Sequence, residues 1–311
     1  MKIVISEFMD EPAVERLRAG HDVLYDPKLV DEPSRLQVEA ATAHALIVRN
    51  RTQVRGRLLD ALAQCKVVGR LGVGLDNIDV AGCESRNIRV IPATGANALA
   101  VAEYVIATAM LLLRGAYQST SQVVSGAWPR NALGQGREIG GKTLGLVGFG
   151  SIGQLTAKFA RSLGMRVLAY DAVLPASDSA YAEIGVRCVT LDALLQQSDV
   201  VSLHVPLVDA TRGLFDAARI AAMRRGAVLI NTSRGGIVDE AALAAALKSG
   251  RLGGAALDVF EAEPLPASAP ASSVFEDCPN LVLTPHVAGV TVEANQRVSS
   301  MIADEVLEAL Q

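Results

Sequence analysis

Short β-branched runs alternate with Ala- and Leu-rich helical patterns along most of the chain. In the first hundred residues the runs at 3–5, 23–25, 45–48, 67–70 and 89–91 are largely apolar at consecutive positions. A strand that is apolar on both alternating faces must be covered on both sides, which is the environment of a parallel sheet flanked by helices. Amphipathic or polar stretches at 12–19 and 54–63 supply such helices. Leu, Val, Ile and Ala then occupy near-continuous positions over 99–125. That pattern predicts one long helix buried around most of its circumference, serving as a domain connector, a dimer element, or both.

The alternation restarts with higher regularity at 144–147, 167–170, 200–203, 228–231, 254–257 and 281–283, with helical patterns such as 155–163 and 240–248 between. Six strands with intervening helices are the material of a dinucleotide-binding doubly wound sheet. Residues 264–279 are rich in Pro, Ala and Ser and read as a surface loop, and 291–310 form a further amphipathic helix. The fold class expected is α/β with two doubly wound domains.

Composition then narrows the function classes. The chain has 311 residues, 50% hydrophobic and 20% charged, which suits about two globular domains and excludes a disordered or low-complexity chain. Lys and Arg number 29 against 33 Asp and Glu, a formal charge of −4. Neither nucleic acid nor an anionic membrane is advertised as a partner, so an anionic ligand must be gathered by local cations and backbone N–H groups. The opening Met-Lys-Ile-Val-Ile-Ser-Glu reads as a strand and not as a signal peptide. The most apolar stretch, 98–113, carries Glu103 and is short for a bilayer span. Cys65, Cys83, Cys188 and Cys278 lie far apart, form no CxxC, and accompany only four His. They are expected to be buried thiols of a cytoplasmic protein with no metal site.

Gly148-Phe149-Gly150-Ser151-Ile152-Gly153 fits the pattern G-x-G-x-x-G. It follows one predicted strand and opens a predicted helix, and Asp171 ends the next strand at close to the ~20-residue spacing of a dinucleotide fingerprint. The first glycine permits the tight turn, the second the approach of a pyrophosphate, and the third the packing of helix on strand. The helix N-terminus attracts the phosphates. An acid at Asp171 accepts from ribose hydroxyls and repels a 2′-phosphate, which favours NAD over NADP. The bland reading, a tight strand–helix turn and no more, explains the glycines but not the acid.

Three further motifs follow: 231–239, Asn-Thr-Ser-Arg-Gly-Gly-Ile-Val-Asp; 258–264, Asp-Val-Phe-Glu-Ala-Glu-Pro; and 284–289, Thr-Pro-His-Val-Ala-Gly. Singly, Arg234 could be a solvated loop cation, Glu263 a surface acid and His286 a satisfied strand-end histidine. Each, however, sits just past a predicted strand, where open α/β sheets bind ligands. With Gly69-Arg70-Leu71-Gly72-Val73-Gly74-Leu75-Asp76-Asn77-Ile78-Asp79, Trp128, the run 141–145 and the run 199–206, these motifs make the whole chain resemble the D-isomer-specific 2-hydroxyacid dehydrogenase family.

That resemblance implies an NAD-dependent oxidoreductase. The Rossmann NAD-binding domain, 98–288, would be inserted into a flavodoxin-like substrate domain built from 1–97 and 289–311. It implies Arg234, Glu263 and His286 as catalytic residues. The forked donors of Arg234 would hold the substrate carboxylate and carbonyl oxygen. His286 would exchange the proton, and Glu263 beside it would favour the charged imidazole. Thr232, Asp258 and the turn from His286 to Gly289 correspond to positions lining the nicotinamide; His204, Val205 and Pro206 correspond to the adenosine-side loop. The N–H groups of Val73 and Gly74 match a carboxylate cradle. Hinges near Asn97 and Gly289, and a homodimer through the 99–125 region, are implied as well.

The segment 46–54, Leu-Ile-Val-Arg-Asn-Arg-Thr-Gln-Val, resembles the substrate-facing loop of the phosphoglycerate dehydrogenase branch. Its Arg49 and Arg51 either meet solvent or contact a second anionic group of the substrate. Together with the opening Ile-Ser-Glu-Phe-Met-Asp-Glu, this loop looks most like that of family members acting on (S)-sulfolactate. The substrates implied, in order, are sulfolactate with 3-sulfopyruvate, then phosphoglycerate, then hydroxypyruvate or glyoxylate. The chain, running from first strand to closing helix, suggests no regulatory extension. A different class stays open, an NAD(H)-sensing binding protein that keeps the same three residues, although no partner-recruiting arm is visible.

Overall fold

The computed structural model describes residues 1–265 and 272–311. Contacts between Cα atoms divide the chain into two compact units, Met1–Asn97 with Gly289–Gln311, and Ala98–Ala288. The first unit is a five-stranded parallel sheet of β1 (Lys2–Ile5), β2 (Asp22–Tyr25), β3 (Ala45–Val48), β4 (Val67–Arg70) and β5 (Arg89–Pro92). Its order, β2-β1-β3-β4-β5, is the flavodoxin-like one.

The two-residue period of the strands sorts this unit's core. Ile3, Ile5, Ile47 and Val67 pack with Val14 and Leu17 of the helix Glu11–Arg18 and with Ile302 and Val306 of the helix Val292–Ala309. Val4, Leu46, Val48 and Val68 point the other way, onto Leu36 of Pro33–Ala40 and Leu59 of Gly56–Ala61. The closing helix lies so near the sheet that a Cβ on Gly69 would stand 2.8 Å from Ile302 Cγ2, which explains a glycine in mid-strand.

The second unit is a seven-stranded parallel sheet, β6 (Thr143–Val147), β7 (Arg166–Tyr170), β8 (Arg187–Cys188), β9 (Val200–Leu203), β10 (Val228–Asn231), β11 (Gly254–Leu257) and β12 (Leu281–Leu283). Its order is β12-β11-β10-β9-β6-β7-β8, the Rossmann order with one strand added beyond the sixth. Strand order reverses between β6 and β9, which places the G-x-G-x-x-G turn at the switch point where such sheets bind ligands.

The structure departs from the sequence reading in several places. The two-residue edge strand β8 is too short for any hydrophobic period to reveal. The long helix spans Ala98–Arg114 only, because Gly115 takes a left-handed φ of 67° and stops it. A 3-10 turn, Ala116–Gln118, and a separate short helix, Thr120–Val124, follow. The glycine and the polar run Gln118-Ser119-Thr120-Ser121-Gln122 after it were the available signals of that break. Nor is the second half buried within this chain: Tyr117, Val123, Val124 and Trp128 are exposed. The 264–279 stretch, read as loop, contains a four-residue helix, Ser272–Phe275, whose Phe275 is buried; its residues 266–271 lie outside the described ones. Of the four cysteines, all free, Cys65 and Cys83 are buried while Cys188 and Cys278 are only half-buried. Among the described residues no helix is long and apolar enough to cross a membrane.

Candidate active site

Strand β6 runs straight into the glycine turn. Gly148 holds a φ of 97°, and a Cβ there would stand 2.3 Å from the His204 carbonyl oxygen at the end of β9. A Cβ on Gly153 would stand 2.4 Å from the Gly148 carbonyl oxygen. These two glycines are forced by neighbouring backbone. Gly150 is different: nothing lies within 4 Å of its Cβ position, so the approach to the turn is open. The helix Ser151–Ser162 starts there and presents first-turn N–H groups that have no partner within a helix.

Asp171 follows β7 and accepts three backbone N–H groups, from Phe149 at 2.7 Å, Val173 at 2.8 Å and Leu174 at 2.9 Å. Burial pushes its pKa up, but the donors from Leu174, Phe149 and Val173 outweigh it and hold the carboxyl below its ordinary value. Three of about four acceptor positions are thereby used, leaving room for one further donor. Burial drives the His204 imidazole down to about 4, so it is neutral beside Ser202, whose Oγ lies 3.0 Å from Nε2. Val205 and Pro206 continue from it as a loop with the proline exposed. Thr232 Oγ1, just past β10, is buried and meets no hydrogen-bond partner among the described residues. A buried hydroxyl left unpaired in this way costs about 1–3 kcal/mol unless a ligand supplies the partner. An open glycine turn at a helix N-terminus, an acid after the second strand and an orphaned hydroxyl past β10 together fit a bound nicotinamide dinucleotide.

The carboxyl ends of β10, β11 and β12 carry the reactive side chains. His286 sits in a turn after β12 with φ 56°, a left-handed conformation uncommon for histidine. Its N–H donates to the Asp258 carbonyl oxygen at 2.8 Å. The Asp258 carboxylate fixes the residues around it: Oδ1 accepts the Thr284 hydroxyl at 2.6 Å and the Val287 N–H at 2.8 Å, and Oδ2 accepts the Ala288 N–H at 2.8 Å. Gly289 comes next in the chain. His286 Nδ1 lies 2.6 Å from Glu263 Oε2, while Glu263 Oε1 accepts the Phe260 N–H at 2.8 Å. Their side chains are 47% and 32% exposed, open enough for a substrate to reach the imidazole. Burial works against the Glu263 charge, yet the bonds from His286 and the Phe260 N–H, with the nearby charges of His286 and Arg234, bring its pKa below the ordinary value.

Arg234 occupies the loop after β10. Asn231 shapes that loop by donating to the Arg234 carbonyl oxygen at 2.9 Å and accepting from the Ser233 N–H at 3.0 Å. One guanidinium nitrogen, Nη1, donates to the Ser233 carbonyl oxygen at 2.6 Å. The structure thus brings Arg234, Glu263 and His286 into one electrostatic group with Asp258 beneath the histidine.

The first unit carries its own cluster past β1, β3 and β4. Glu7 is buried, and its carboxylate accepts the N–H groups of Arg49 at 2.9 Å, Arg51 at 3.1 Å and Thr52 at 3.0 Å. From the other side Asn77 Nδ2 donates to the carbonyl oxygens of Arg49 at 3.2 Å and Thr52 at 2.7 Å. The loop is therefore clamped while its two arginines diverge. Arg49 is half-buried, 2.8 Å from Asn295 Oδ1 and 5.8 Å from the Phe8 ring centroid. Arg51 is exposed and paired with Asp31. Val73 and Gly74 lie in an accessible loop, and among the described residues neither N–H has a backbone partner. Sequence reasoning did not assign Glu7, Asn77 or Thr284. Each lies next to a strand's carboxyl end or inside a quoted motif, and that position was the available signal.

Residues 106–288 match the family model described as D-isomer specific 2-hydroxyacid dehydrogenase, NAD binding domain. The chain is 52% identical over 308 residues to the (S)-sulfolactate dehydrogenase of Chromohalobacter salexigens, covering 99% of this chain and 98% of that one. It is 37% identical to the D-3-phosphoglycerate dehydrogenase of Archaeoglobus fulgidus over 99% of this chain, but spans only 57% of that relative. The crystal structure of the TT0316 protein from Thermus thermophilus superposes with a TM-score of 0.85 at 33% identity, covering 100% of this chain and 97% of that one. The chain belongs to the D-isomer-specific 2-hydroxyacid dehydrogenase family and is an NAD-dependent oxidoreductase of CH–OH groups.

Proposed function

We propose that the chain interconverts (S)-sulfolactate and 3-sulfopyruvate, with His286 as acid–base residue, Glu263 as its partner and Arg234 as the substrate anchor. The observation that carries the chemistry is the 2.6 Å contact between His286 Nδ1 and Glu263 Oε2 beside Arg234. The dinucleotide, when bound, would supply hydride chemistry at C2 of the substrate in either direction. With Nδ1 turned to Glu263, Nε2 faces the substrate and donates the proton to the carbonyl oxygen as that oxygen becomes a hydroxyl. Arg234 holds the carboxylate and polarises the carbonyl. In the first unit, the N–H groups of Val73 and Gly74 suit a small anion. Gly148, Gly150, Ser151, Ile152 and Gly153 take the pyrophosphate, and Asp171 the adenosine ribose. His204, Val205 and Pro206 line the adenosine side, while Thr232, Asp258 and Gly289 border the nicotinamide.

The sulfonate reading is supported by the 52% identity to a relative of that name and by the setting of Arg49. Burial lowers the Arg49 pKa despite the Glu7 charge, so its guanidinium has lost solvation that a second substrate anion would restore. Arg51 would have to leave Asp31 to contribute, and Arg49 is the better reader of that anion. The site suits a cytoplasmic homodimer associating through the long helix and the segment after it. Val124 at 83% and Trp128 at 78% exposure are apolar side chains open to solvent there, and a groove of about 770 Å³ is lined in part by Leu112, Ser119 and Gln122 of the same stretch.

Three measurements check these assignments. NADH oxidation should be at least about tenfold faster, per kcat/KM, with 3-sulfopyruvate than with pyruvate, and Arg49→Ala should remove most of that preference by raising KM. Equal use of both acids would exclude the substrate, and turnover too slow to measure on any 2-oxo acid would favour an NAD(H) sensor. For the acid–base pair, the Glu263 carboxylate is held ionised below its ordinary pKa by the His286 and Phe260 bonds, so the pair persists as pH falls until that lowered value is crossed. Glu263→Gln removes the titrating carboxylate and should change the pH profile of reductive turnover; an unmoved profile would remove Glu263 from the pair. Sedimentation should give twice the 32.6 kDa chain mass, and Trp128→Ser with Val124→Ser should shift it toward one chain.

A further inference from the structure

The Arg234 loop and the Glu263 turn are fastened together at two successive backbone groups. On one side Gly235 presses against the turn: a Cβ there would stand 1.7 Å from the Phe260 carbonyl oxygen and 2.7 Å from the Glu261 nitrogen. On the other side stands Glu240, the first residue of the helix Glu240–Lys248, whose N-terminus Asp239 caps by accepting the Ala242 N–H at 2.9 Å. Glu240 Oε1 accepts the Glu261 N–H at 2.8 Å. The next donor along this turn, the Phe260 N–H, is the one that holds Glu263 Oε1. The turn that aims Glu263 at His286 is thus pinned by a side chain from the element that begins just after the Arg234 loop.

We propose that Glu240 is a positioning residue for the Glu263–His286 pair, acting through the backbone of Glu261. The proposal rests on the reading of that pair as the acid–base centre. Glu240 is half-buried near the carboxylates of Glu261, Asp239 and Glu263, and Arg234 is the cation near Glu263. Burial and those three charges push its pKa up against the Glu261 N–H, which pulls it down. A carboxylate whose only task was to sit in the first turn of a helix could do so from solvent, away from three like charges. Its placement makes sense if the bond to Glu261 is what matters. Without that acceptor the turn loses one of its two fixings, and Glu263 drifts from the 2.6 Å contact on which the imidazole's orientation depends.

The test compares Glu240→Ala with Glu240→Gln, which keeps an Oε1 acceptor, in steady-state reduction of the preferred 2-oxo acid across pH. Glu240→Ala should lower kcat between about tenfold and a hundredfold while the KM for NADH stays within roughly twofold. Its pH profile should also change, as for Glu263→Gln. Glu240→Gln should recover kcat to within roughly threefold and restore the profile. Wild-type kcat and profile in Glu240→Ala, or a Glu240→Gln enzyme as slow as the alanine variant, would overturn the role. If the alanine variant does not fold, Glu240→Asp replaces it: the charge remains but the reach is shortened, and an unimpaired rate would overturn the proposal. His286→Asn separates the two levels. Turnover retained there would overturn the acid–base pair itself, whereas its loss beside an unimpaired Glu240→Ala would overturn Glu240 alone.

Discussion

Asp258 is 1% exposed, and a carboxylate so deep is tolerable only if its acceptor positions are filled. Three of about four are filled by one short stretch of chain: the Thr284 hydroxyl and the Val287 and Ala288 N–H groups. The cost of burying the charge is thus offset by donors that wrap the turn around it, and the histidine at the centre of that turn is carried into a left-handed conformation. The Thr284 hydroxyl also lies 2.7 Å from Tyr104 Oη, which ties the long helix of the same unit to the same carboxylate. Burial pushes the Tyr104 pKa up although Thr284 pulls it down, so the phenol stays neutral and able to donate. The position of His286 follows from satisfying Asp258.

The same device recurs in each unit. Glu7 and Asp171 each accept three backbone N–H groups, and Glu240 accepts one. In each case an acid near the carboxyl end of a strand, or at the start of a helix, sets the path of a loop. The chain's formal charge of −4 therefore says little about its ligands. Many of the acids in the site are occupied with backbone, while the cations proposed to meet substrate anions are Arg234 and Arg49.

Strand positions were readable to within about a residue because buried parallel strands are continuous apolar runs of three to five residues, too short for a buried helix. Strand β8 was not readable because it is no longer than one period. The end of the long helix was readable in principle, since Gly115 and the polar residues 118–122 stop the apolar spacing, and the expected helix was drawn too long. In the site, Arg234, Glu263 and His286 stood in motifs with glycine or proline neighbours, and the structure brings them together. Glu7, Asn77 and Glu240 carried no such mark. What they do depends on which backbone N–H or carbonyl group a fold delivers to them, and residue order alone does not contain that. The divergence of Arg49 and Arg51 has the same origin, since two arginines one residue apart look alike until Asn295 and Asp31 are placed beside them.

Replacement of Asp258 by Asn tests most directly whether the buried carboxylate places the histidine. The side chain keeps its size, but an amide NH₂ must now face the N–H of Ala288 or of Val287, leaving two donors opposed. The quantity to measure is kcat for 2-oxo acid reduction at saturating NADH. With the His286 turn displaced by even an ångström, a loss of roughly a hundredfold is expected. A wild-type rate in Asp258→Asn would contradict the dependence of His286 on that carboxylate.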